Sequence, residues 1–121
     1  MNNKKTLIIG ASTNPERYSN RAVHLLNIKG NDVIALGRKE GAIGNTPILT
    51  SQDQFENVDT ISIYIREELQ SEIEDYIISL NPRRVIFNPG SENLQLSYKL
   101  RSLSIDVENA CTLVLLQTDQ Y

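Results

Sequence analysis

Short strand-like runs alternate with stretches in helical spacing along the whole chain, and that alternation leaves few folds open. Residues 7–9 (LII), 32–36 (DVIAL), 59–65 (DTISIYI), 84–87 (RVIF) and 105–108 (IDVE) read as five strands. The first four are dense in β-branched and aliphatic side chains, as strands buried on both faces are. Between them, Ala22, Leu25 and Leu26, with Val23 and Ile28 placed less tightly, follow the i, i+3, i+4 spacing of a helix over 19–29. Leu69, Ile73, Tyr76, Ile77 and Leu80 mark a longer helix over 66–80, and Leu94, Leu96, Leu100 and Leu103 mark a third. Units of this kind need parallel strands joined by right-handed crossovers. The expected fold is therefore α/β, a doubly wound parallel five-stranded sheet with helices on both faces. Residues 40–57, with Gly41, Gly44, Asn45 and Pro47, read as an irregular loop anchored by Ile43, Ile48 and Leu49, with a helical turn at 51–55. The run 110–116 is apolar but too short to assign.

At 121 residues the chain suits one domain, taken as 1–121. No apolar run approaches the roughly 18 residues of a membrane-spanning helix, so no membrane partner is expected. The start, Met1-Asn2-Asn3-Lys4-Lys5, is basic, but the apolar run behind it stops at Gly10. That is too short for a secretion signal, and a cytoplasmic protein is expected. Net charge is −3 with no basic block, which argues against nucleic acid as a partner. Cys111 and His24 are the only residues of their kinds. An internal disulfide, a multi-cysteine metal site and chemistry built on several histidines are thereby excluded.

In a doubly wound sheet, ligands bind beyond the carboxyl ends of the strands. The turns placed there are 10–19, 37–39, 64–66 and 88–93. Gly10-Ala11-Ser12 ends the first strand with residues small enough to let a ligand near the backbone. Asn14-Pro15 turns the chain, and Ser19 or Asn20 is placed to cap the next helix. A strand, a tight turn and a helix N-terminus favour an anion through free amides and the helix dipole. Arg17 adds a cation able to fork onto a phosphate. The expected ligand is therefore of nucleotide type. A dinucleotide fingerprint would need G-x-G-x-x-G and an acid after the second strand. Only Gly10 of those glycines is present, and Gly37-Arg38-Lys39 stands where the acid would be. Two cations there suit a phosphate on the adenosine ribose, as in NADP or coenzyme A. Walker A spacing is absent.

Together these pieces resemble the small stand-alone CoA-binding domain proteins, which are similar to the N-terminal Rossmann domain of the succinyl-CoA synthetase α subunit. The likeness rests on GAS-x-x-P-x-R-x-S at 10–19 and GNDVIAL at 30–36 with Ile43-Gly44 beyond it. FNPGSEN at 87–93 and VENACTLV at 107–114 complete it. The resemblance implies a Rossmann-like fold binding coenzyme A or an acyl-CoA. Its diphosphate would sit on Gly10, Ala11, Ser12 and the amides near Ser19, with Arg17 as cationic partner. Arg38 or Lys39 would face the adenosine end, and Pro89, Gly90, Glu92 and Asn93 would border the pantetheine arm. The synthetase's second domain, with its phosphorylated histidine, and its β subunit do not fit into this chain, so ligase activity is not carried over. Relatives place asparagine-proline after the second strand, where this chain has Gly37-Arg38.

Plain structural roles stand beside these. His24 falls with Asn20, Asn27 and Asn31 on the polar side of the first helix and reads as solvent-facing. Cys111, in an apolar run, reads as a buried inert thiol. Asn88-Pro89-Gly90 can simply turn the chain and Ser91 cap a helix. Glu67, Glu68, Glu72, Glu74 and Asp75 form a solvated helix face. The expected function is binding of a CoA-type small molecule without catalysis. One alternative is an NADP-dependent oxidoreductase, for which Tyr64 would be the proton donor, without the usual lysine beside it. The other is a regulatory or scaffolding domain that pairs with itself or a partner protein through an apolar surface at 113–116.

Overall fold

The structure, a computed structural model, describes residues 3–121. Met1 and Asn2, the first part of the basic N-terminal stretch, lie outside the described residues. Four expected strands form close to where their apolar runs lie: β1 (Thr6–Ile9), β2 (Val33–Leu36), β5 (Thr60–Ile63) and β6 (Arg84–Phe87). The fifth, β7 (Asp106–Asn109), starts one residue later than expected. Two more correct the count from five to seven: β3 (Gly41–Ile43) and β4 (Thr46–Leu49), a hairpin in the stretch expected to be loop. The sheet order is β3-β4-β2-β1-β5-β6-β7. All neighbours are parallel except β3, which runs antiparallel to β4. With three and four residues, and Gly41 and Pro47 among them, these strands carry no alternation to read. Burial holds them in place, because Ile43 and Ile48 pack into the core beneath the first helix.

Strand alternation divides the core. Leu7 and Ile9 face one side, with Ile61, Ile63, Val85 and Phe87. The helices α2 (Glu74–Leu80) and α3 (Leu94–Ser102) cover that side through Tyr76, Ile77, Leu96 and Leu100. Ile8 and Ala35 face the other, beneath α1 (Tyr18–Ile28) and α4 (Thr112–Gln117). This is a Rossmann-like α/β arrangement. Every parallel strand ends on the same edge, and the loops that follow β1, β2, β5, β6 and β7 gather there.

Several local expectations change. The helix read over 66–80 is broken into a 3₁₀ segment (Glu67–Glu72) and α2. Gln70, fully buried, donates to Ile65 O at 2.9 Å and Ser91 O at 2.6 Å, which ties the first turn to the strand ends. Residues 51–55 are irregular, not helical, with Asp53 N turning back to Ser51 O at 3.0 Å and Tyr76 Oη donating to Asp53 O at 2.6 Å. The run 110–116 becomes α4, and Leu113 and Leu116 are core residues against α1, leaving Val114 half-exposed. The expected association surface at 113–116 is thus mostly interior. Asn20 and Asn31 are buried and Ile28 is exposed, the reverse of the expected faces at those positions. Among the described residues no helix is long and apolar enough to cross a membrane.

Candidate functional site

The loop after β1 is built by its own side chains. Asn14 N donates to Ser12 Oγ at 3.1 Å, Glu16 N to Asn14 Oδ1 at 3.0 Å, and Arg17 N to Asn14 O at 3.0 Å. This chain of small turns closes at Arg17, so α1 begins at Tyr18 and Arg17 occupies the N-cap without a capping side chain. Ser19 and Asn20, expected as caps, lie inside the first turn and are buried. Asn20 Nδ2 instead reaches back to Ser12 O at 2.9 Å and clamps the loop to the helix.

Gly10 sits at φ +98°, and a Cβ there would lie 3.0 Å from Ile65 Cγ2. Its amide and that of Ala11 both donate to Leu36 O at 2.9 Å. These two amides therefore serve the sheet and are not free donors for an anion. The available donors shift along the chain: among the described residues, the amides of Ser12, Thr13, Tyr18 and Ser19 meet no acceptor. The helix dipole adds partial positive charge at the same point, and no acid stands in the first turn to offset it.

The loop after β2 wraps this one. A Cβ on Gly37 would come within 2.5 Å of Ala11 O, and one on Gly41 within 2.6 Å of Thr13 Cγ2. Close approach at both ends, to the Ala11 carbonyl and the Thr13 methyl, holds Arg38, Lys39 and Glu40 alongside the β1–α1 loop, all three exposed. Arg17, Arg38 and Lys39 have no carboxylate within ion-pair distance among the described residues.

Behind the rim lies a buried polar network. Asn88 Nδ2 donates to Ser62 Oγ at 2.8 Å and Ile63 O at 2.9 Å, and its Oδ1 accepts from Thr112 N at 2.8 Å. One side chain thus joins the ends of β5 and β6 to the start of α4. Asn93 caps α3 by accepting from Leu96 N at 3.0 Å and donates to Gln70 Oε1 at 2.9 Å. Glu92 Oε1 accepts from Gly90 N at 2.8 Å. Glu92 and Asn93 are therefore engaged in a turn and a cap, and Ser91, not a cap, is buried donating to Asn88 O at 2.7 Å. Gly90, at φ +94°, has nothing within 4 Å of where a Cβ would stand. The roles of Gln70 and Asn88 escaped the sequence reading. Their only outward sign is a neutral amide in an otherwise apolar register position.

From the rim a groove of about 780 Å³ runs between α1 and α4. Pro15, Tyr64, Asn88, Pro89 and Cys111 stand at its head. Burial pushes the Tyr64 phenol above its ordinary value of 10.0, so it stays protonated. The Tyr64 hydroxyl is buried with no hydrogen-bond partner among the described residues, while the neighbouring Ser62 and Thr112 hydroxyls bond each other at 2.8 Å. Cys111 is half-buried at the N-cap of α4. His24 is exposed on the groove's edge. No cluster of His, Cys, Asp or Glu among the described residues could hold a metal ion.

Among solved structures, an uncharacterized protein shares 39% identity and superposes at a TM-score of 0.97, with 100% of both chains covered. A hypothetical protein from Pyrococcus horikoshii OT3 shares 24% identity at a TM-score of 0.83, covering 96% of this chain and 83% of that one. A protein from Thermus thermophilus shares 17% at 0.85, covering 98% and 91%. The last two are similar in fold alone. No curated protein matches the chain. The family model described as a CoA binding domain matches residues 4–117, nearly the whole chain, and the protein belongs to that family.

Proposed function

We propose that the chain, as one domain over 1–121, binds coenzyme A or an acyl-CoA and performs no chemistry of its own. The observation that carries this is the uncapped start of α1, in a member of the CoA binding domain family. Four amides without acceptors among the described residues, the helix dipole and the Arg17 cation belong to this one short loop and together suit one anionic group, the diphosphate. Arg38 and Lys39, held alongside the same loop, suit the phosphate on the adenosine ribose. The pantetheine arm then crosses the rim toward Tyr64 and Pro89 at the head of the groove. A catalytic role for Tyr64 is disfavoured, because burial weakens it as an acid and the groups beside it are hydroxyls and a thiol.

Calorimetric titration with CoA, dephospho-CoA, NADP and NAD tests the reading. CoA should bind, and Arg17→Ala should weaken it roughly tenfold, the loss of one charge-assisted hydrogen bond. Dephospho-CoA should bind a few-fold more weakly, as exposed charge pairs contribute less. Tighter binding of NADP than of CoA would favour the oxidoreductase. No heat with any of the four would leave only a scaffolding role.

A further inference from the structure

Exposed apolar side chains collect beside the groove. Tyr18, Ile28 and Val114, three of the six large hydrophobic residues exposed among the described residues, line it, and half-buried Leu25 stands between them. The groove starts at the rim assigned above to the diphosphate and pantetheine, since Pro15 and Tyr18 belong to both. From there it follows α1 from Tyr18 to Ile28, about 15 Å at the helical rise. Its volume of about 780 Å³ falls within the range of small-molecule sites.

Polar groups concentrate at the head, where Asn88 and the unpartnered Tyr64 hydroxyl lie. Farther down, the walls are Leu25, Ile28, Leu113 and Val114, with exposed Arg21, His24 and Gln117 along the edge. Pantetheine is rich in amides and gains little from aliphatic walls. An alkyl chain joined to its sulfur gains from all of them. We infer that the ligand is a thioester carrying an aliphatic acyl chain, and that this chain lies in the groove between α1 and α4. The inference rests on the coenzyme A reading of the rim. It names which form of the cofactor the protein selects.

The test is a titration series with CoA, acetyl-CoA, butyryl-CoA and octanoyl-CoA on the same protein. Burying a methylene tightens binding about three- to fourfold. Octanoyl-CoA, with six more methylenes, should therefore bind on the order of a thousandfold tighter than acetyl-CoA if its whole chain is buried. Val114→Glu, which sets a carboxylate in the wall, should flatten the series. Equal affinities for CoA and its three thioesters would overturn the acyl assignment and leave coenzyme A binding intact. Absence of binding throughout would remove both. Light scattering run alongside gives the remaining outcome: a dimer that Val114→Glu dissociates, with a flat series, would assign the groove to a second copy and overturn the inference.

Discussion

The two ends of the sheet handle charge in opposite ways. At the amino end, Arg83 grips Asp59 through Nε and Nη2 at 2.9 and 3.1 Å and lies 3.9 Å from Asp106. Arg84, buried, donates to Thr60 Oγ1 at 3.1 Å, pairs with Glu108 at 3.4 Å and lies 4.4 Å from the Tyr121 ring centroid. One of its nitrogens, Nη2, has no partner among the described residues. Tyr121 is held in turn by Thr6, its hydroxyl 2.5 Å from Thr6 Oγ1, and by Lys4, which donates to its carbonyl. At the carboxyl end, Arg17, Arg38 and Lys39 have no acidic partner among the described residues and the helix start is uncapped. Both ends carry cations, yet only the amino end uses them to hold the fold.

Stability measurements can break this comparison. Arg84→Ala should lower the unfolding free energy by about 3 kcal/mol, since it removes a buried cation from its partners and leaves a cavity. Arg17→Ala, exposed and unpaired, should stay within about 0.5 kcal/mol. Urea titration of the two variants measures the contrast, and similar values would erase the distinction between the ends.

A smaller effect sharpens the picture within the carboxyl end. Gly37→Ala should cost about 2 kcal/mol, because the new methyl meets the Ala11 carbonyl at 2.5 Å and backbone must move. Gly90→Ala meets no atom within 4 Å but must hold φ +94°, a strain on the order of 1 kcal/mol. Thermal unfolding of both separates steric contact from backbone strain. Equal losses would mean that the β1–α1 and β2–β3 loops yield freely, and a pre-shaped rim would no longer be tenable.

How much of this was legible in the sequence follows from where each signal resides. The apolar runs of β1, β2, β5 and β6 need no context, because a strand buried on both faces is apolar throughout. The β3–β4 hairpin was invisible because Ile43 and Ile48 acquire meaning only once α1 lies over them. The rim was legible as a place: Gly10, Arg17 and Gly37 all reach it. The donors were not, because the pairing of Gly10 N and Ala11 N with Leu36 O depends on β2 lying beside β1. Asn93, expected beside the pantetheine arm, also caps α3, a role set by where that helix begins.

Tyr64 offers a test of opposite sign. Its hydroxyl is buried with no hydrogen-bond partner among the described residues, so Tyr64→Phe removes a desolvated polar atom with little change in shape. Stability should rise by about 1 kcal/mol, read from the urea midpoint. A loss instead would show that the hydroxyl is satisfied through Ser62 and Thr112, making the head of the groove as tightly wired as the amino end.

The smallest effect concerns pH and belongs to the amino end. Burial raises the Asp59 carboxyl, but hydrogen bonds from Arg83 and Thr60, with the charges of Arg83 and Arg84, outweigh it and hold the group below its ordinary value of 3.8. A carboxylate depressed in the folded state contributes stability that is present above its unfolded value and lost as pH falls through the folded one. The unfolding free energy should therefore decline below about pH 4, and Asp59→Asn should decline less over the same range. The group is partly exposed and its pair is screened, so added salt should shrink the difference between the two proteins. Parallel curves for wild type and Asp59→Asn would show that the Arg83 contact contributes nothing to folding. The ion pairs of the amino end would then be surface charges like those of the rim, and only the buried Arg84 cluster would separate the two ends.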